Sequence, residues 1–311
     1  MGIHVRPLRG SPTHNAFQHK MAPCQTAIRD AAAEPGRYPL IMYSHPSGAH
    51  RRAATFLCTH LSSHGYVVAA LDHSEVVAPD LARRDEETEE QKAARRDAVI
   101  ASRVPDVRFL LDLMLTTSWG DLELDPARIG IVGHSFGGWT ALAATEADPR
   151  IHAVVALAPG GASQPRPGIL PLTLAFRWGR DVPTLYLVAE GDTALPLSGM
   201  YELFERTPAT KRTIILHRAD HSHFMDQVEQ LHEMFRTMPD AGDLAAIQKE
   251  MRPMAEFCSE EQAHLFVRGL TTHRPLRPAR RTVPTRPTCR GPAGVRGLDR
   301  RRRAAPGLAR S

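Results

Sequence analysis

The amino-acid sequence predicts an α/β fold in which a mostly parallel sheet is flanked by helices. Between residues 38 and 219, short apolar runs rich in β-branched residues alternate with amphipathic segments, as they do where covering helices join parallel strands. The 311 residues are 42% hydrophobic and 23% charged, a composition that supports one large α/β domain. The predicted strands are Tyr38–Tyr43, Tyr66–Leu71, Arg128–Val132, Ala153–Leu157, Thr184–Val188 and Arg212–Leu216. The predicted helices lie at about residues 52–64, 102–117, 136–147, 197–206 and 223–238.

Two segments interrupt this alternation. Asp80–Arg96 carries a run of acidic side chains followed by three basic ones, a pattern typical of a solvated helix, which we expect on the rim. Pro159–Pro183 is rich in glycine and proline but also carries leucines and aromatic residues. This second segment is either a lid or acyl-pocket wall, or a cover for the core.

Charge is unevenly distributed along the chain. Residues 274–311 contain twelve arginines and one acidic residue, a net charge of +11, whereas the other 273 residues hold 27 basic and 33 acidic side chains, a net charge of −6. A tail rich in arginine and proline, without apolar periodicity, cannot bury enough surface to offset its ordering entropy. We therefore expect a disordered tail over residues 273–311. It has no aromatic residue for base stacking, which argues against a nucleic-acid partner.

The cysteines and the hydropathy of the chain indicate the cellular compartment in which the protein is expected. The four cysteines are scattered without a CxxC pair, and the charged N-terminus lacks the apolar run of a signal peptide. No stretch approaches the roughly 20 apolar residues of a membrane span. We expect a cytoplasmic protein with reduced thiols and without membrane insertion. The histidines lack metal-ligand spacing and do not cluster with the cysteines, so no metal is expected.

The most informative motif is the Gly-x-Ser-x-Gly turn centred on Ser135. A buried-strand pattern, Ile129–Val132, leads into it, and a helical pattern, Gly138–Ala144, follows it. Such a turn holds its serine in a strained backbone conformation and brings neighbouring chain very close, which is why glycines flank it. The context predicts that Ser135 is a nucleophile. A serine that only caps a helix would require neither glycine.

A nucleophilic serine needs a base that takes its proton and a carboxylate that fixes the tautomer of that base. Candidates follow in the order Ser, Asp, His along the chain. Asp192 comes directly after the predicted strand Thr184–Val188, so its carboxylate can project over the sheet edge. Glu190 lies nearer the strand and is the second choice. An ordinary turn residue at position 192 is the competing interpretation.

The base is expected in the loop Arg218–Asp226, which follows the last predicted strand. His221 is nearer the strand end and is preferred. His223 falls where a helix is expected to begin, and it stays the alternative.

Acyl transfer also needs preorganised donors for the oxyanion of the tetrahedral intermediate. One donor is expected to be the backbone N–H of Phe136. The other is expected from the turn Ser44–Gly48 after the first predicted strand. Pro46 has no N–H, which leaves Ser47 as the donor. An ordinary strand-ending turn is the competing interpretation.

Together these residues resemble the α/β-hydrolases, in particular the platelet-activating-factor acetylhydrolase and dienelactone-hydrolase-like branch. The resemblance extends from about Tyr38 to Met238. His221 with Phe224 and Asp226 looks like the acetylhydrolase histidine segment. The resemblance implies an α/β-hydrolase fold and a serine esterase without cofactor, acting on carboxylic esters with short or modest acyl groups. Its other marks are Tyr38-Pro39-Leu40, Ser44-His45-Pro46-Ser47-Gly48-Ala49-His50-Arg51, His64-Gly65-Tyr66-Val67-Val68-Ala69-Ala70, Asp72-His73 and Gly133-His134-Ser135-Phe136-Gly137-Gly138.

The chain departs from this family pattern in four respects. Acetylhydrolases have glycine at the position of Pro46, and they place their acid after the strand that follows the elbow, where this chain reads Ala156-Leu157-Ala158-Pro159. Asp192 matches instead the position used by cutinase-like polyester hydrolases and dienelactone hydrolases. The nucleophile is serine, whereas dienelactone hydrolases have cysteine. Only 37 residues precede the first clear strand, so we expect the usual opening antiparallel strands to be shortened or absent and residues 1–37 to be poorly ordered.

These observations predict a catalytic α/β-hydrolase domain over residues 38–272 that cleaves small-molecule esters through an acyl-enzyme at Ser135. The same residue set permits a thioesterase, an amidase or a peptidase, because the sequence does not give the shape of the pocket. The alternative from another class is a non-catalytic hydrolase-like scaffold whose arginine-rich tail binds acidic partners. The sequence does not indicate an oligomeric state.

Overall fold

A parallel β-sheet forms the centre of the protein in the computed structural model, which describes residues 2–3, 27–82, 84 and 86–272. Six strands of four or more residues are joined at one edge by a strand of two residues, in the order β1-β3-β2-β4-β5-β6-β7, and all pairings between these strands are parallel. The strands are β1 Gly2–Ile3, β2 Gly36–Ser44, β3 Val67–Ala70, β4 Leu122–His134, β5 Ala153–Leu157, β6 Thr184–Ala189 and β7 Lys211–Leu216.

Helices cover the sheet. The α-helices of the described residues are α1 Thr55–Ser63, α2 Ser74–Val77, α3 Glu89–Thr116, α4 Phe136–Ala147, α5 Leu197–Arg206, α6 Val228–Thr237, α7 Ala245–Glu250 and α8 Glu260–Thr272. Short 3₁₀ helices lie at Pro79–Leu81, His221–Phe224, Gly242–Leu244 and Met254–Glu256.

Both faces of the sheet are buried, because successive side chains of a strand point to opposite faces. In β2, Leu40 and Met42 pack into one apolar cluster, whereas Ile41 and Tyr43 pack into another. Continuous apolar runs are what a doubly covered parallel sheet requires. The predicted α/β class with a parallel sheet is therefore confirmed.

The predicted helix boundaries need two corrections. The predicted helix at 102–117 and the charged helix within Asp80–Arg96 merge into α3, a single helix of 28 residues that contains Pro105. It begins after Thr88, whose side chain and that of Gln91 form a capping box. The last predicted helix, 223–238, begins only at Val228, because residues 221–224 form a 3₁₀ turn. The sequence did not indicate β1, α2, α7 or α8.

The segment 159–183 covers the core in the structure. Leu172, Leu174, Phe176 and Trp178 are each at most 8% exposed and join the apolar cluster that includes Leu40. The indole N–H of Trp139 donates to the carbonyl of Thr173 at 2.8 Å. These contacts favour the core-cover interpretation of this segment over the lid.

Several expectations fall on residues outside the described ranges, namely the disordered tail at 273–311 and most of the segment 1–37. In the part of the chain that is described, no helix combines the length and the apolarity needed to cross a membrane. Within the same ranges, no three His, Cys, Asp or Glu side chains are grouped as a metal site would need.

Candidate active site

Ser135 occupies the turn between β4 and α4. Its φ of 56° and ψ of −118° lie outside the regions that L-residues favour, and such strain persists only where the surrounding structure enforces it. Its N–H donates to the carbonyl of Leu157 at 2.9 Å, and its own carbonyl accepts from the N–H groups of Trp139 at 3.1 Å and Gly160 at 3.0 Å. The backbone of the turn is thus tied to β5 and to α4, while the Ser135 side chain stays partly exposed.

Three glycines allow the chain to pack this closely around Ser135. A Cβ on Gly133 would overlap the carbonyl of Gly137, and a Cβ on Gly137 would overlap the carbonyl of Ser44. A Cβ on Gly138 would lie 2.8 Å from the Cα of Pro159. The glycines of the motif are therefore required by close backbone approach, as the sequence predicts.

Asp192 and His221 are brought into contact at the same edge of the sheet. Nδ1 of His221 lies 2.7 Å from Oδ2 of Asp192. The other carboxylate oxygen accepts from the N–H groups of Ala194 at 2.9 Å and Leu195 at 2.8 Å, which fixes its orientation. Asp192 follows β6 and His221 follows β7, so both lie at the carboxyl end of the parallel strands, as does Ser135 after β4.

The environment of His221 raises the pKa of its imidazole above the ordinary 6.5. Burial acts in the opposite direction, but the charge of Asp192, the hydrogen bond to it and the charge of Asp220 together outweigh burial. The ring of His134, the residue before Ser135, packs against the His221 ring with 4.7 Å between centroids. This contact holds His221 beside the turn that carries Ser135.

His223, the alternative base, faces the interior. It is fully buried, its Nδ1 accepts the N–H of Asp220 at 2.9 Å, and its Nε2 lies 3.1 Å from the carbonyl of Cys258. Both ring nitrogens are therefore engaged by backbone groups. Burial lowers the pKa of His223, which keeps the ring neutral.

Glu190, the alternative acid, lies away from His221. One of its carboxylate oxygens is 3.1 Å from Nδ1 of His217, and the other accepts from the N–H of Arg218 at 3.1 Å. Its side chain is 47% exposed, against 1% for Asp192. Of the two predicted acids, only Asp192 contacts a histidine of the 221–223 segment.

The predicted oxyanion donors lie on two neighbouring segments. Ser44 pairs with Gly133 in the β2–β4 register, so the residues that follow each of them meet at one edge of the sheet. We call residues Ser44–Gly48 the oxyanion turn. The N–H of Ala49 donates to the carbonyl of Pro46 at 3.2 Å, and Gly48 has a φ of +66°. This is a type II turn with the exposed Ser47 at its second position.

Phe136 is the first residue of α4, and the first N–H groups of a helix have no acceptor within the helix. Its N–H is therefore available to a group bound at Ser135. The helix N-terminus also favours developing negative charge at that point.

Beside the oxyanion turn lies a polar cluster that the sequence did not reveal. Oγ of Ser44 is 2.8 Å from Nε2 of His73, and Nδ1 of His73 is 3.1 Å from Oδ2 of Asp106. Ser44 and His73 are fully buried, so this second Ser, His and Asp arrangement has no access for a substrate. Its members are 29 and 33 positions apart along the chain. Ser44 and His73 are among the marks of the family resemblance, whereas Asp106 did not stand out in the sequence.

Comparisons with known proteins show which families the chain resembles. Residues 12–106 match the family model "Platelet-activating factor acetylhydrolase, isoform II". The chain is 25% identical over 217 residues to a platelet-activating factor acetylhydrolase of Gallus gallus, covering 54% of this chain and 51% of the relative. It is 24% identical over 169 residues to a bis(hydroxyethyl) terephthalate hydrolase of Streptomyces coelicolor, covering 54% of this chain and 44% of the relative.

A solved structure extends the likeness through the sheet. A ferulic acid esterase from Streptomyces cinnamoneus superposes with a TM-score of 0.55 at 26% identity, covering 78% of this chain and 67% of that chain. The chain spans about half the length of the curated relatives it matches. The chain is therefore similar to esterases of this fold through most of its sheet, and over residues 12–106 it resembles the platelet-activating-factor acetylhydrolases.

Proposed function

We propose that the protein is a carboxylic ester hydrolase that forms an acyl-enzyme at Ser135. The observation that carries this proposal is the 2.7 Å contact between His221 and Asp192 at the sheet edge where the strained turn presents Ser135. Relatives named as an acetylhydrolase, a terephthalate hydrolase and a ferulic acid esterase support hydrolysis of an ester.

The arrangement assigns each group a step. A carboxylate only accepts hydrogen bonds, so Asp192 keeps the proton of His221 on Nδ1 and leaves the Nε2 lone pair free. Nε2 takes the proton of Ser135 as Oγ attacks the ester carbonyl. The tetrahedral oxyanion accepts hydrogen bonds from the N–H groups of Ser47 and Phe136. His221 returns the proton to the leaving alcohol, and water, deprotonated by the same nitrogen, hydrolyses the acyl-enzyme.

The proposed substrates are small carboxylic esters with short to medium acyl chains. The relatives are named for esters with acyl groups of different shape, namely acetyl, terephthalate and ferulic acid esters. The segment that includes the oxyanion turn matches the acetylhydrolase family model, which favours a short acyl group. We therefore expect acetyl and butyryl esters to be turned over faster than octanoyl esters.

The test is hydrolysis of p-nitrophenyl acetate, butyrate and octanoate by the protein and by Ser135→Ala. We expect Ser135→Ala to lose turnover by about 10⁴-fold or more, because the other groups cannot act without the nucleophile. Ser63→Ala, at an exposed serine near the end of α1, is the matched control and keeps full activity. Equal turnover by Ser135→Ala and the wild type would refute the proposal.

A further inference from the structure

We propose that Arg103 and Glu75 form a positioning pair that fixes the oxyanion turn and aligns its donor, the N–H of Ser47. This inference rests on the proposed function, since it concerns the geometry of the oxyanion site. Neither residue stood out in the sequence.

The two side chains form a buried, two-point ion pair. Nη2 of Arg103 lies 2.5 Å from Oε1 of Glu75, and Nε lies 3.0 Å from Oε2. The Arg103 side chain is 0% exposed and that of Glu75 is 7% exposed. Removing two charges from water is costly and often brings no net stability. The burial of such a pair beside the candidate active site therefore favours a role in geometry over a role in stability.

Each member of the pair holds one flank of Ser47. Nη1 of Arg103 donates to the carbonyl of His45 at 2.8 Å. The N–H of Gly48 donates to Oε1 of Glu75 at 3.2 Å. The residues on both sides of the proposed donor are thus fixed by one rigid, planar pair, and a bidentate arginine specifies geometry better than a point charge does.

The same guanidinium reaches the second donor segment. The carbon atom of the Arg103 guanidinium lies 4.0 Å from the centroid of the Phe136 ring, in a cation–π arrangement. Phe136 supplies the other proposed oxyanion N–H. Arg103 therefore contacts both halves of the oxyanion site, which are separated by about 90 positions in the chain.

Helix α3 supplies a second support one turn beyond Arg103. Ser74 donates two hydrogen bonds to the carboxylate of Asp106, from its N–H at 2.8 Å and from its hydroxyl at 2.6 Å. The same carboxylate lies 3.1 Å from Nδ1 of His73. The N–H of His73 donates to Nε2 of His45 at 3.1 Å. That bond leaves Nδ1 of His45 to donate to the carbonyl of Pro46 at 2.7 Å.

The oxyanion turn is consequently anchored to α3 through the segment His73–Glu75. Positions 103 and 106 lie on one face of the helix, as residues three apart do. Burial lowers the pKa of His45 well below 6.5 and keeps its ring neutral, as this hydrogen-bond pattern requires. The turn is therefore preorganised before a substrate binds.

The burial of Arg103 separates positioning from direct catalysis. A fully buried guanidinium that is bonded to Glu75 and His45 has no path to the substrate. Its effect must pass through the Ser47 and Phe136 N–H groups, and a misplacement of about 1 Å in such groups can cost 10²-fold in rate.

The experiment compares the wild type with Glu75→Gln and with the double variant Glu75→Leu/Arg103→Met. The double variant removes both charges, so it leaves no buried charge without a partner, the main threat to folding. We expect its kcat to fall about 10²-fold and that of Glu75→Gln to fall less, with KM nearly unchanged. Affinity for a boronic acid, which mimics the tetrahedral intermediate, should fall by the same factor as kcat.

The control is Glu87→Gln, which breaks a two-point pair between Glu87, just before α3, and Arg95 in the first turns of α3, neither of which has a hydrogen bond to the oxyanion turn. A merely structural role predicts that kcat and the boronate affinity stay within about threefold of this control, or that any loss follows a lower folded fraction by circular dichroism. Either result would overturn the inference. If Ser135→Ala keeps its activity, both the proposed function and the positioning pair are refuted. If Ser135→Ala is inactive but the double variant has normal kcat, only the positioning pair is refuted.

Discussion

At the level of single residues, the hydrogen bond between His221 and Asp192 determines how activity should depend on pH. Burial lowers the pKa of His221, but the charge and hydrogen bond of Asp192 together with the charge of Asp220 outweigh burial, so this pKa lies above 6.5. The base acts only when it is neutral. We therefore expect kcat/KM to rise with pH through a pKa above 6.5.

Replacing Asp192 with asparagine tests this coupling. Asp192→Asn removes the carboxylate that raises the pKa of His221 and leaves the burial that lowers it, so the acidic limb of the kcat/KM profile should move to lower pH. It also allows the wrong tautomer of His221, and kcat should fall by about 10⁴-fold. Glu190→Gln is the matched control and leaves both quantities unchanged. A profile that does not move in Asp192→Asn would exclude Asp192 as the partner of the base.

The two neighbouring histidines should separate activity from stability. His221→Ala should reduce kcat by about 10³-fold or more while changing the melting temperature little, since the His221 side chain is partly exposed. His223→Ala leaves the Asp220 N–H and the Cys258 carbonyl without their partners and should lower the free energy of unfolding by about 1–3 kcal/mol. Activity assays and urea denaturation of both variants check this. A reversed pattern would make His223 the base.

Ser135, Asp192 and His221 could be predicted from their order along the chain and from their positions just after predicted strands. Position along the chain favoured His221 but could not exclude His223, because the difference depends on which backbone groups engage the ring nitrogens. One of those groups is the carbonyl of Cys258, 35 residues further along the chain. Contacts over such distances leave no local pattern.

At the level of secondary-structure elements, the type II turn after β2 can accept a proline in place of Ser47, which would remove the proposed oxyanion donor without changing the turn. Ser47 occupies the second position of this turn, where proline is well accommodated. Ser47→Pro deletes the N–H and preserves the turn, so kcat should fall about 10²- to 10³-fold. Ser47→Ala keeps the N–H and should remain active.

Steady-state kinetics and circular dichroism on the two Ser47 variants provide the measurement. A folded Ser47→Pro protein with normal kcat would show that another group binds the oxyanion.

Most elements were predictable from local patterns, since apolar runs and the Gly-x-Ser-x-Gly motif are local signals. The continuity of α3 was not, because the charged first turns predict a solvated helix of their own, separate from the amphipathic stretch that predicts a helix at 102–117. The helix persists because its inner face packs into the core through side chains such as Leu110 and Leu111, and tertiary packing overrides local propensity. The same helix carries Arg103, whose role emerges only once the helix is placed on the sheet.

At the scale of the whole molecule, the parallel sheet gathers residues from distant parts of the chain at one edge. Ser135, Asp192 and His221 follow three different strands, and the oxyanion turn follows a fourth. The α/β class could be predicted from the alternation of apolar and amphipathic segments. The ion pair between Arg103 and Glu75 that contacts the oxyanion turn could not be predicted, because the two residues are 28 positions apart and no local pattern links them.

The acyl-enzyme at Ser135 is the central claim, and covalent labelling tests it most directly. The protein would be treated with a fluorophosphonate, digested and mapped by peptide mass spectrometry alongside Ser135→Ala. We predict one adduct per chain, on Ser135, with loss of p-nitrophenyl ester turnover in proportion to labelling and no adduct in Ser135→Ala. A folded protein that hydrolyses esters but carries no label on Ser135, or carries it on another residue, would contradict the account.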